Sequence, residues 1–378
     1  MLSSQELHRY SRQILLPGFD KSGQEKLKNS RVLVVGAGGL GSPIILYLAA
    51  AGVGKICIID FDVVDESNLQ RQVLFNEGTV GMSKAIQAAE RIKDLNSQIS
   101  INVHQVKLDS SNAMSILTGY DLVLDGSDNL PTRYLVNDAC VFLGKPLIYG
   151  AIFQYEGQVS VFNQLLKDEV RGPNYRDLFP EPPPPEMVPS CSEGGVLGVL
   201  PGIIGSMMAN EAIKILVGIG TTLSGRLLLF DSLDFTTRIV NVKKSSTNPV
   251  SGESPTITSL IDYEQFCNPT KHQVIKEISP LELKAWMNSK KEFQLIDVRE
   301  RKEIELVSIG GINVPVKSVE SNLINIRKDI PVLVYCKSGG RSSLVVKKLQ
   351  NMGYENAINL SGGILKWIDD VDSSLSRY

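Results

Sequence analysis

The sequence is poor in the residues that build disulfide frameworks, zinc ribbons and histidine-based sites. Its 378 residues include an odd number of cysteines, five, without a Cys-x-x-Cys pair, and three widely separated histidines. This scatter argues against a disulfide scaffold, a zinc ribbon and a histidine-based triad. The formal net charge of −2 offers no basic surface for nucleic acid or for an anionic membrane.

Long apolar runs are also missing. The N-terminus is polar and lacks the apolar core of a signal peptide. The longest apolar stretch, Gly194 to Ala209, is interrupted by Pro201 and by further glycines, and it falls short of a membrane span. We therefore expect a cytoplasmic protein that binds neither membrane nor nucleic acid.

What the chain does contain is a glycine-rich turn between a buried strand and a helix. The apolar run Val32 to Val35 leads into a turn with glycines at Gly36, Gly38, Gly39 and Gly41. Such glycines let a phosphate approach the backbone N–H groups at a helix N-terminus. The next strand ends in Asp60, at the spacing expected for an acid that binds a ribose hydroxyl. This pattern predicts a nucleotide site without separating NAD, FAD and ATP.

Polar residues beyond Asp60 favour a triphosphate. Asn68, Arg71 and Gln72 follow the second strand, and Lys84 begins a long helix. A dehydrogenase needs only the ribose acid there, whereas several donors suit a triphosphate, although a solvated charged loop is the simpler alternative. A further strand ends near Asp128, a plausible Mg²⁺ ligand in the same crevice.

The order of predicted elements indicates two domains. Strands and helices alternate to about residue 165, which predicts an α/β fold with a doubly wound, mainly parallel Rossmann-like sheet. Residues 243–255 are rich in Ser, Pro and other polar residues, as in linkers. We expect a nucleotide-binding domain over 1–245, a linker over 246–274 and a smaller α/β domain over 275–378.

Two cysteines lie where a thiolate would be stabilised. Cys191 precedes an apolar helix, and Cys336 follows a buried strand in a glycine-rich loop that ends at Arg341. Helix N-termini, backbone N–H groups and a nearby arginine favour a thiolate or a persulfide anion. Cys336 and Arg341 enclose four residues, fewer than the five of a thiol phosphatase loop, so the loop suits a single sulfur atom. The alternatives are an inert cysteine at 191 and a plain anion-binding loop at 336.

Taken together, these motifs resemble a fusion of two known families. The chain resembles a MoeB/ThiF-type adenylyltransferase, related to ubiquitin-activating enzymes, joined to a C-terminal rhodanese-like domain. In the first domain the resemblance rests on Arg9-Tyr-x-Arg12-Gln13, Gly36-x-Gly-Gly-Leu-Gly41, Asn68-Leu-x-Arg71-Gln72, Gly81-x-x-Lys84-Ala, Asp125-Gly-Ser-Asp128-Asn129 and Pro189-Ser-Cys191. In the second it rests on Asp297-Val-Arg299-Glu300, Cys336-x-x-Gly339-x-Arg341-Ser342 and Gly362-Gly-Ile-x-x-Trp367.

The resemblance implies adenylation of a ubiquitin-like sulfur carrier protein at its C-terminal Gly-Gly. ATP would lie on the glycine turn with its ribose on Asp60, and Asp128 would hold Mg²⁺. Asn68, Arg71, Gln72 and Lys84 would bind the nucleotide and its phosphates. The resemblance also implies a homodimer, in which Arg12 reaches the site of the other subunit.

The resemblance further implies that a persulfide on Cys336 supplies sulfur and yields a C-terminal thiocarboxylate. Cys191 matches the family's second cysteine, which is implicated in an acyl-thioester or acyl-disulfide intermediate. Thiosulfate and a cysteine desulfurase persulfide are the expected donors, and the carrier could serve molybdopterin, thiamin, cysteine or tRNA-thiolation pathways.

One departure from these relatives concerns a metal. They commonly carry structural zinc on two Cys-x-x-Cys pairs, which would fall at 174–177 and near 248–252, and neither segment contains cysteine here. We therefore predict that the protein holds no zinc. The competing hypotheses are an NAD(P)-dependent oxidoreductase that uses the same glycine turn and a non-catalytic scaffold that docks carrier proteins.

Overall fold

The computed structural model describes residues 1–166, 169–183, 195–267, 275–289 and 291–378. The chain divides into two compact units, Met1–Asn268 and Pro269–Tyr378. Each is described below by itself.

The first unit is built on one sheet, to which its described residues contribute eight strands. The first five in the spatial order β3-β2-β1-β4-β5 are parallel, and β6, β7 and β8 extend the sheet in antiparallel fashion. Their bounds are β1 (Arg31–Val35), β2 (Lys55–Ile59), β3 (Ser100–His104), β4 (Leu122–Asp125), β5 (Leu147–Phe153), β6 (Glu156–Phe162), β7 (Arg226–Asp231) and β8 (Thr236–Asn241).

Helices cover both faces of this sheet. Alternate residues of each parallel strand point to opposite faces, and both faces carry apolar side chains that the helices bury. Val32 and Val34 join the core on one face, and Leu33 and Val35 join the core on the other. The doubly wound fold is therefore confirmed. The helices are α1 (Ser4–Arg9), α2 (Ser11–Ile14), α3 (Asp20–Asn29), α4 (Gly41–Ala51), α5 (Lys84–Leu95), α6 (Ala113–Thr118), α7 (Leu130–Phe142), α8 (Tyr175–Leu178), α9 (Leu200–Val217) and α10 (Tyr263–Cys267).

Helix α9 is longer than the apolar stretch expected from the sequence. It reaches 18 residues and is, in the described part of the chain, the one helix long and apolar enough to cross a membrane by length and composition. Leu200, Ile204 and Met208 are fully buried in the core shared with β1 and β2. The apolar character of α9 therefore matches that of a core helix.

The segment expected as a linker differs from that expectation over its described residues. Residues 246–267 belong to the first compact unit. Tyr263 and Cys267 of α10 are buried in the same core cluster as Tyr134 of α7. The Ser- and Pro-rich composition of 243–255 resembles a linker, but the apolar side chains that follow it pack on the sheet domain.

The second unit is a smaller, fully parallel sheet in the order β11-β10-β12-β13-β9, flanked by helices. Its core lies on both faces, with Val334 on one and Leu333 on the other. The predicted second α/β domain is confirmed. Its elements are β9 (Glu277–Ile278), α11 (Pro280–Asn288), β10 (Gln294–Asp297), α12 (Arg301–Ile304), β11 (Ile312–Asn313), β12 (Val332–Tyr335), α13 (Gly340–Asn351), β13 (Ala357–Leu360) and α14 (Gly363–Asp370).

Candidate functional site

The glycine turn between β1 and α4 adopts a conformation that only glycine allows. Gly36 has a φ of +87°, and a Cβ on Gly41 would lie 2.0 Å from the Gly36 carbonyl oxygen. Asp60, at the end of β2, fixes the turn because its Oδ2 accepts a hydrogen bond of 2.8 Å from the backbone N–H of Ala37. The turn thereby lines a crevice at the carboxyl ends of β1, β2 and β4, and it leads directly into the N-terminus of α4.

A pocket in this crevice brings together most of the nucleotide residues that the sequence predicts. It is lined by the glycine turn and by residues from the loops after β2 and β4. The predicted residues on its wall are Gly36, Gly38, Gly39, Asp60, Arg71, Gln72, Lys84 and Asp128.

Two of the predicted cations, Arg71 and Lys84, line this pocket. Lys84 is buried, and its Nζ lies 3.2 Å from Oδ2 of Asp62. Arg71 donates from Nη1 to the carbonyl of Ser67 at 3.0 Å, and its Cδ would lie 3.8 Å from a Cβ placed on Gly39. Asp62 is thus a resident counter-charge for Lys84, and an incoming phosphate would compete with it.

The pocket also contains two cations that the sequence analysis missed. Arg133 on α7 and Lys107 after β3 line the same wall. Arg133 stands four residues after Asn129, which also lines the pocket, and this is the spacing at which helix residues share a face. That spacing was the available signal for Arg133.

Three predicted residues are not part of this pocket's lining. Gly41 is the buried first residue of α4, and Asn68 accepts a hydrogen bond from the backbone N–H of Asp65 at 3.3 Å. Arg12 is exposed on α2 and is outside the lining of this chain's own pocket. Cys191 lies outside the described residues.

Unpaired polar atoms around the turn fit a bound nucleotide. In the described part of the structure, the buried Gln72 Oε1 and Ser127 Oγ, both from residues on the pocket wall, have no hydrogen-bond partner. Burial raises the pKa of Asp60, whose carboxylate has acceptor capacity beyond the N–H groups of Ala37 and Asp62 that it binds. Orphaned groups of this kind are expected where a polar ligand supplies the missing partners.

Asp128 offers an exposed carboxylate at this pocket, and no cluster of three or more His, Cys, Asp or Glu side chains for a metal occurs among the residues described. Magnesium is commonly bound through one or two carboxylates plus substrate phosphates and water. Asp128 therefore fits a Mg²⁺ that arrives with a nucleotide.

In the second unit, backbone groups surround the sulfur of Cys336. Its Sγ accepts from the N–H of Gly339 at 3.2 Å and from the N–H and Oγ of Ser342, each at 3.4 Å. The side chain is fully buried. Gly339 makes this loop possible, since its φ is +91°. The predicted cradle of N–H groups is present.

Helix α14 orients the loop from behind. The N–H groups of Ile364 and Leu365 donate to the carbonyls of Cys336 and Lys337 at 2.9 and 3.1 Å. A Cβ on Gly363 would lie 2.5 Å from the Cys336 carbonyl oxygen. The Gly-Gly at the start of α14 therefore lets its N-terminus satisfy the outward carbonyls, while the loop N–H groups turn towards the sulfur.

The position of Arg341 corrects one expectation. Both of its terminal nitrogens donate to the carboxylate of Glu303, at 2.8 and 2.7 Å. The guanidinium that the sequence analysis assigned to the persulfide is therefore paired with an acid from α12. Sequence spacing could not reveal Glu303, which lies 38 residues earlier.

Comparison with known proteins agrees with this geometry. Residues 10–251 match the ThiF family, and residues 279–370 match the rhodanese-like domain. The chain belongs to the ThiF family. The resemblance drawn from its motifs is thereby confirmed for both units.

Similar proteins span the whole chain. A Mycobacterium tuberculosis protein named "Probable adenylyltransferase/sulfurtransferase MoeZ" is 46% identical over 385 residues, which cover 100% of this chain and 96% of that protein. The Culex quinquefasciatus "Adenylyltransferase and sulfurtransferase MOCS3" is 42% identical, with 100% and 90% covered. The Thermus thermophilus "Sulfur carrier protein adenylyltransferase" is 52% identical over 70% of this chain and 98% of its own length.

Among solved structures, Escherichia coli MccB with ATP shares the fold, with a TM-score of 0.55 and 23% identity over 65% of this chain and 74% of that one. At this identity the likeness speaks for the fold alone.

The two segments at which the resemblance places zinc ligands are joined here by hydrogen bonds. Asn248 donates to Oδ1 of Asn174 at 3.3 Å and to Oδ1 of Asp177 at 2.8 Å, and Asn174 donates to Oγ of Ser251 at 2.8 Å. Amides, a hydroxyl and one carboxylate do not fit zinc, which prefers thiolate and imidazole ligands. The absence of bound zinc stays a prediction.

Proposed function

We propose that this protein uses ATP to adenylate the C-terminal Gly-Gly of a ubiquitin-like sulfur carrier protein and then converts that terminus to a thiocarboxylate. One observation carries the proposal. A cation-lined pocket on a glycine turn and a cysteine ringed by N–H groups occur on one chain. The pocket suits a nucleoside triphosphate, and the loop suits an anionic sulfur.

In the first step, the carrier carboxylate attacks the α-phosphorus of ATP. The new O–P bond forms as the bond to the β-phosphate breaks, so pyrophosphate leaves and an acyl-adenylate remains. Two anions must approach each other, and Arg71 and Lys84 offset their repulsion. A Mg²⁺ ion at Asp128 would add charge stabilisation for the leaving pyrophosphate.

Exposed apolar side chains beside the pocket support a protein partner. The β5–β6 and β7–β8 turns are neighbours, since the N–H of Ser232 donates to the carbonyl of Tyr155 at 3.0 Å. These turns lie at the same end of the sheet as the pocket, because β5 is parallel to β4. Their tips expose Phe153, Tyr155, Leu233 and Phe235. Such a surface is typical of protein docking.

In the second step, the outer sulfur of a persulfide on Cys336 attacks the acyl carbon. A C–S bond forms as the C–O bond to AMP breaks, which leaves an acyl disulfide. A thiolate then attacks the sulfur of Cys336, releases the thiocarboxylate and leaves a disulfide that a thiol reductant reopens. An acyl-thioester or acyl-disulfide intermediate at Cys191 stays a proposal from the resemblance. The sulfur reaches Cys336 from thiosulfate or from the persulfide of a cysteine desulfurase.

We also propose a homodimer in which Arg12 completes the partner's pocket. Arg12 is exposed on α2. Leu15 and Leu16, directly after α2, expose 75% and 52% of their surface. Exposed leucines beside an exposed arginine support a self-association surface. A cytoplasmic location stays a prediction from the sequence.

The test is ATP–pyrophosphate exchange with candidate carriers from the molybdopterin, thiamin, cysteine and tRNA-thiolation pathways. We expect exchange only with a carrier that retains its terminal glycine, and the matched control is the same carrier without it. Exchange that ignores the terminal glycine would contradict the proposal. Nicotinamide-dependent redox activity without exchange would favour the oxidoreductase alternative, and carrier binding without either would favour a scaffold.

A further inference from the structure

The cysteine loop of the second unit contains a guanidinium that is already neutralised. Arg341 stands between Gly339 and Ser342, whose N–H groups face the sulfur of Cys336. Its two terminal nitrogens bind the two carboxylate oxygens of Glu303 in a fork-to-fork pair. Both side chains are mostly buried, at 15% and 10% exposure. Partial burial makes such a bidentate pair stronger than an ordinary surface ion pair.

Glu303 is held in this orientation by more than Arg341. Its Oε2 accepts from the N–H of Glu300 at 3.0 Å, and its Oε1 accepts from the hydroxyl of Tyr378 at 3.3 Å. The same hydroxyl accepts from Nη1 of Arg299 at 2.6 Å. Burial alone would raise the pKa of Glu303, but Arg341 lowers it below the usual value, so the carboxylate is ionised at neutral pH.

The neighbouring arginine is neutralised too. Arg299 is fully buried, and its Nη2 lies 2.6 Å from Oδ2 of Asp297. Two acids therefore balance two arginines behind the loop. The groups that donate to the sulfur are instead the N–H of Gly339 and the N–H and hydroxyl of Ser342, which are neutral.

We propose that Glu303 selects the class of sulfur donor by holding Arg341 away from the approach to Cys336. A donor with a single anionic sulfur, such as a thiol persulfide, is served by the neutral N–H groups. A dianion such as thiosulfate needs a guanidinium for its sulfonate oxygens, and Arg341 is occupied. Glu303 is thus a positioning residue that acts through Arg341. The inference rests on the proposed role of Cys336.

The transfer itself is the same for both donors. The Cys336 thiolate attacks the outer sulfur of the donor, and a new S–S bond forms as the donor's own S–S bond or sulfur–sulfonate bond breaks. A persulfide leaves as a thiol, and thiosulfate leaves as sulfite. No external oxidant or reductant is needed, so the two donors differ only in the charge that the site must accommodate.

The test compares kcat/KM for thiosulfate with kcat/KM for the persulfide of a small neutral thiol, in the full-length chain. In Glu303→Gln, Arg341 loses its anionic partner, and we expect kcat/KM for thiosulfate to rise roughly tenfold, the worth of one charge-assisted hydrogen bond. The value for the persulfide should not rise. The gain for thiosulfate should shrink with added salt, because it comes from a charge near solvent.

Two controls accompany this variant. Glu305→Gln removes the same charge from an exposed side chain two residues further on, and it should leave kcat/KM for both donors unchanged. The double variant Glu303→Gln/Arg341→Gln lacks the freed guanidinium, so its kcat/KM for thiosulfate should return to the wild-type value.

An equal fall in kcat/KM for both donors in Glu303→Gln would overturn the proposal, because it would assign Glu303 a purely structural role. If Glu303→Gln does not fold, Glu303→Asp replaces it. The shorter carboxylate of Asp cannot keep both hydrogen bonds to Arg341. An unchanged ratio of kcat/KM for thiosulfate to kcat/KM for the persulfide would therefore also overturn the proposal. Cys336→Ala tests separately the premise that Cys336 carries the sulfur. Retained sulfur transfer in that variant would refute this role.

Discussion

Charged side chains line the nucleotide pocket of the first unit, whereas neutral backbone groups surround the sulfur of the second. The pocket wall includes the cations Arg71, Lys84, Lys107 and Arg133, against the acids Asp60, Asp62 and Asp128. At the cysteine loop, the two arginines are paired with Asp297 and Glu303. Binding a polyanion requires several cationic side chains, whereas one sulfur atom is held by N–H groups that the fold itself fixes.

This difference determines which substitutions matter at each site. In the pocket, removing one side chain removes a ligand. In the loop, two of the three groups that donate to the sulfur are backbone N–H groups, so the cysteine is the side chain whose removal should matter most. The predictions below test this contrast.

The largest effect is expected at Cys336. Cys336→Ala should abolish sulfur transfer from every donor, because the sulfur-carrying atom is gone, while ATP–pyrophosphate exchange stays at the wild-type rate. The matched control is Cys57→Ala, which removes a buried core cysteine from β2 and should keep both activities. Loss of exchange in Cys336→Ala would show that the two activities are not separable as proposed.

The next largest effect is expected in the pocket. Arg71→Ala or Lys84→Met should lower the rate of ATP–pyrophosphate exchange by about 10²–10³-fold, the usual result of removing one group that stabilises developing charge. Lys93→Met, an exposed change on the same helix as Lys84, is the control. A near-normal exchange rate in Lys84→Met would refute the assignment of this pocket.

A smaller effect concerns the frame of the first unit. Asn248→Ala removes a buried side chain that donates to Asn174 and Asp177 and accepts from the N–H groups of Val250 and Ser251, so the free energy of unfolding should fall by about 2–3 kcal/mol. Urea unfolding measures this, and Thr247→Ala, at an exposed position, should change it little.

Metal analysis of the purified protein should find no stoichiometric zinc, and a chelator should leave unfolding unchanged. Zinc bound in equal amount to protein would contradict the hydrogen-bonded frame.

The smallest effect is expected at Tyr378. Tyr378→Phe removes the hydroxyl that accepts from Arg299 and donates to Glu303, and it should cost about 1 kcal/mol of stability in the second unit. Urea unfolding followed by Trp fluorescence suits this measurement, since Trp286 and Trp367 both lie in that unit. A loss of several kcal/mol would mean that Tyr378 supports the fold rather than only steadying Glu303.

The sequence predicted the fold well where one local pattern decides the structure. Apolar runs such as Val32–Val35 form buried parallel strands, and the glycine turn begins α4 as expected. The grouping of Asp60, Arg71 and Lys84 also followed from a general rule, because the carboxyl ends of parallel strands meet at one edge.

Prediction failed where distant residues decide. Arg341 was assigned to the sulfur because Glu303 is near it only in the folded chain. Residues 246–267 have a linker's composition at their start, yet Tyr263 donates to the buried carboxylate of Asp138, 125 residues earlier. Arg133 was missed because its spacing from Asn129 marks a shared helix face but does not say that this face lines the pocket.

The most direct test of the central claim is the intact mass of a carrier incubated with enzyme, ATP and a sulfur source. We predict that sulfur replaces one oxygen at the carrier's C-terminus with the wild-type enzyme. With Cys336→Ala the carrier should stop at the acyl-adenylate, and with Lys84→Met it should stay unmodified. A thiocarboxylate formed by Cys336→Ala, or none formed by the wild-type enzyme with any Gly-Gly carrier, would contradict the account.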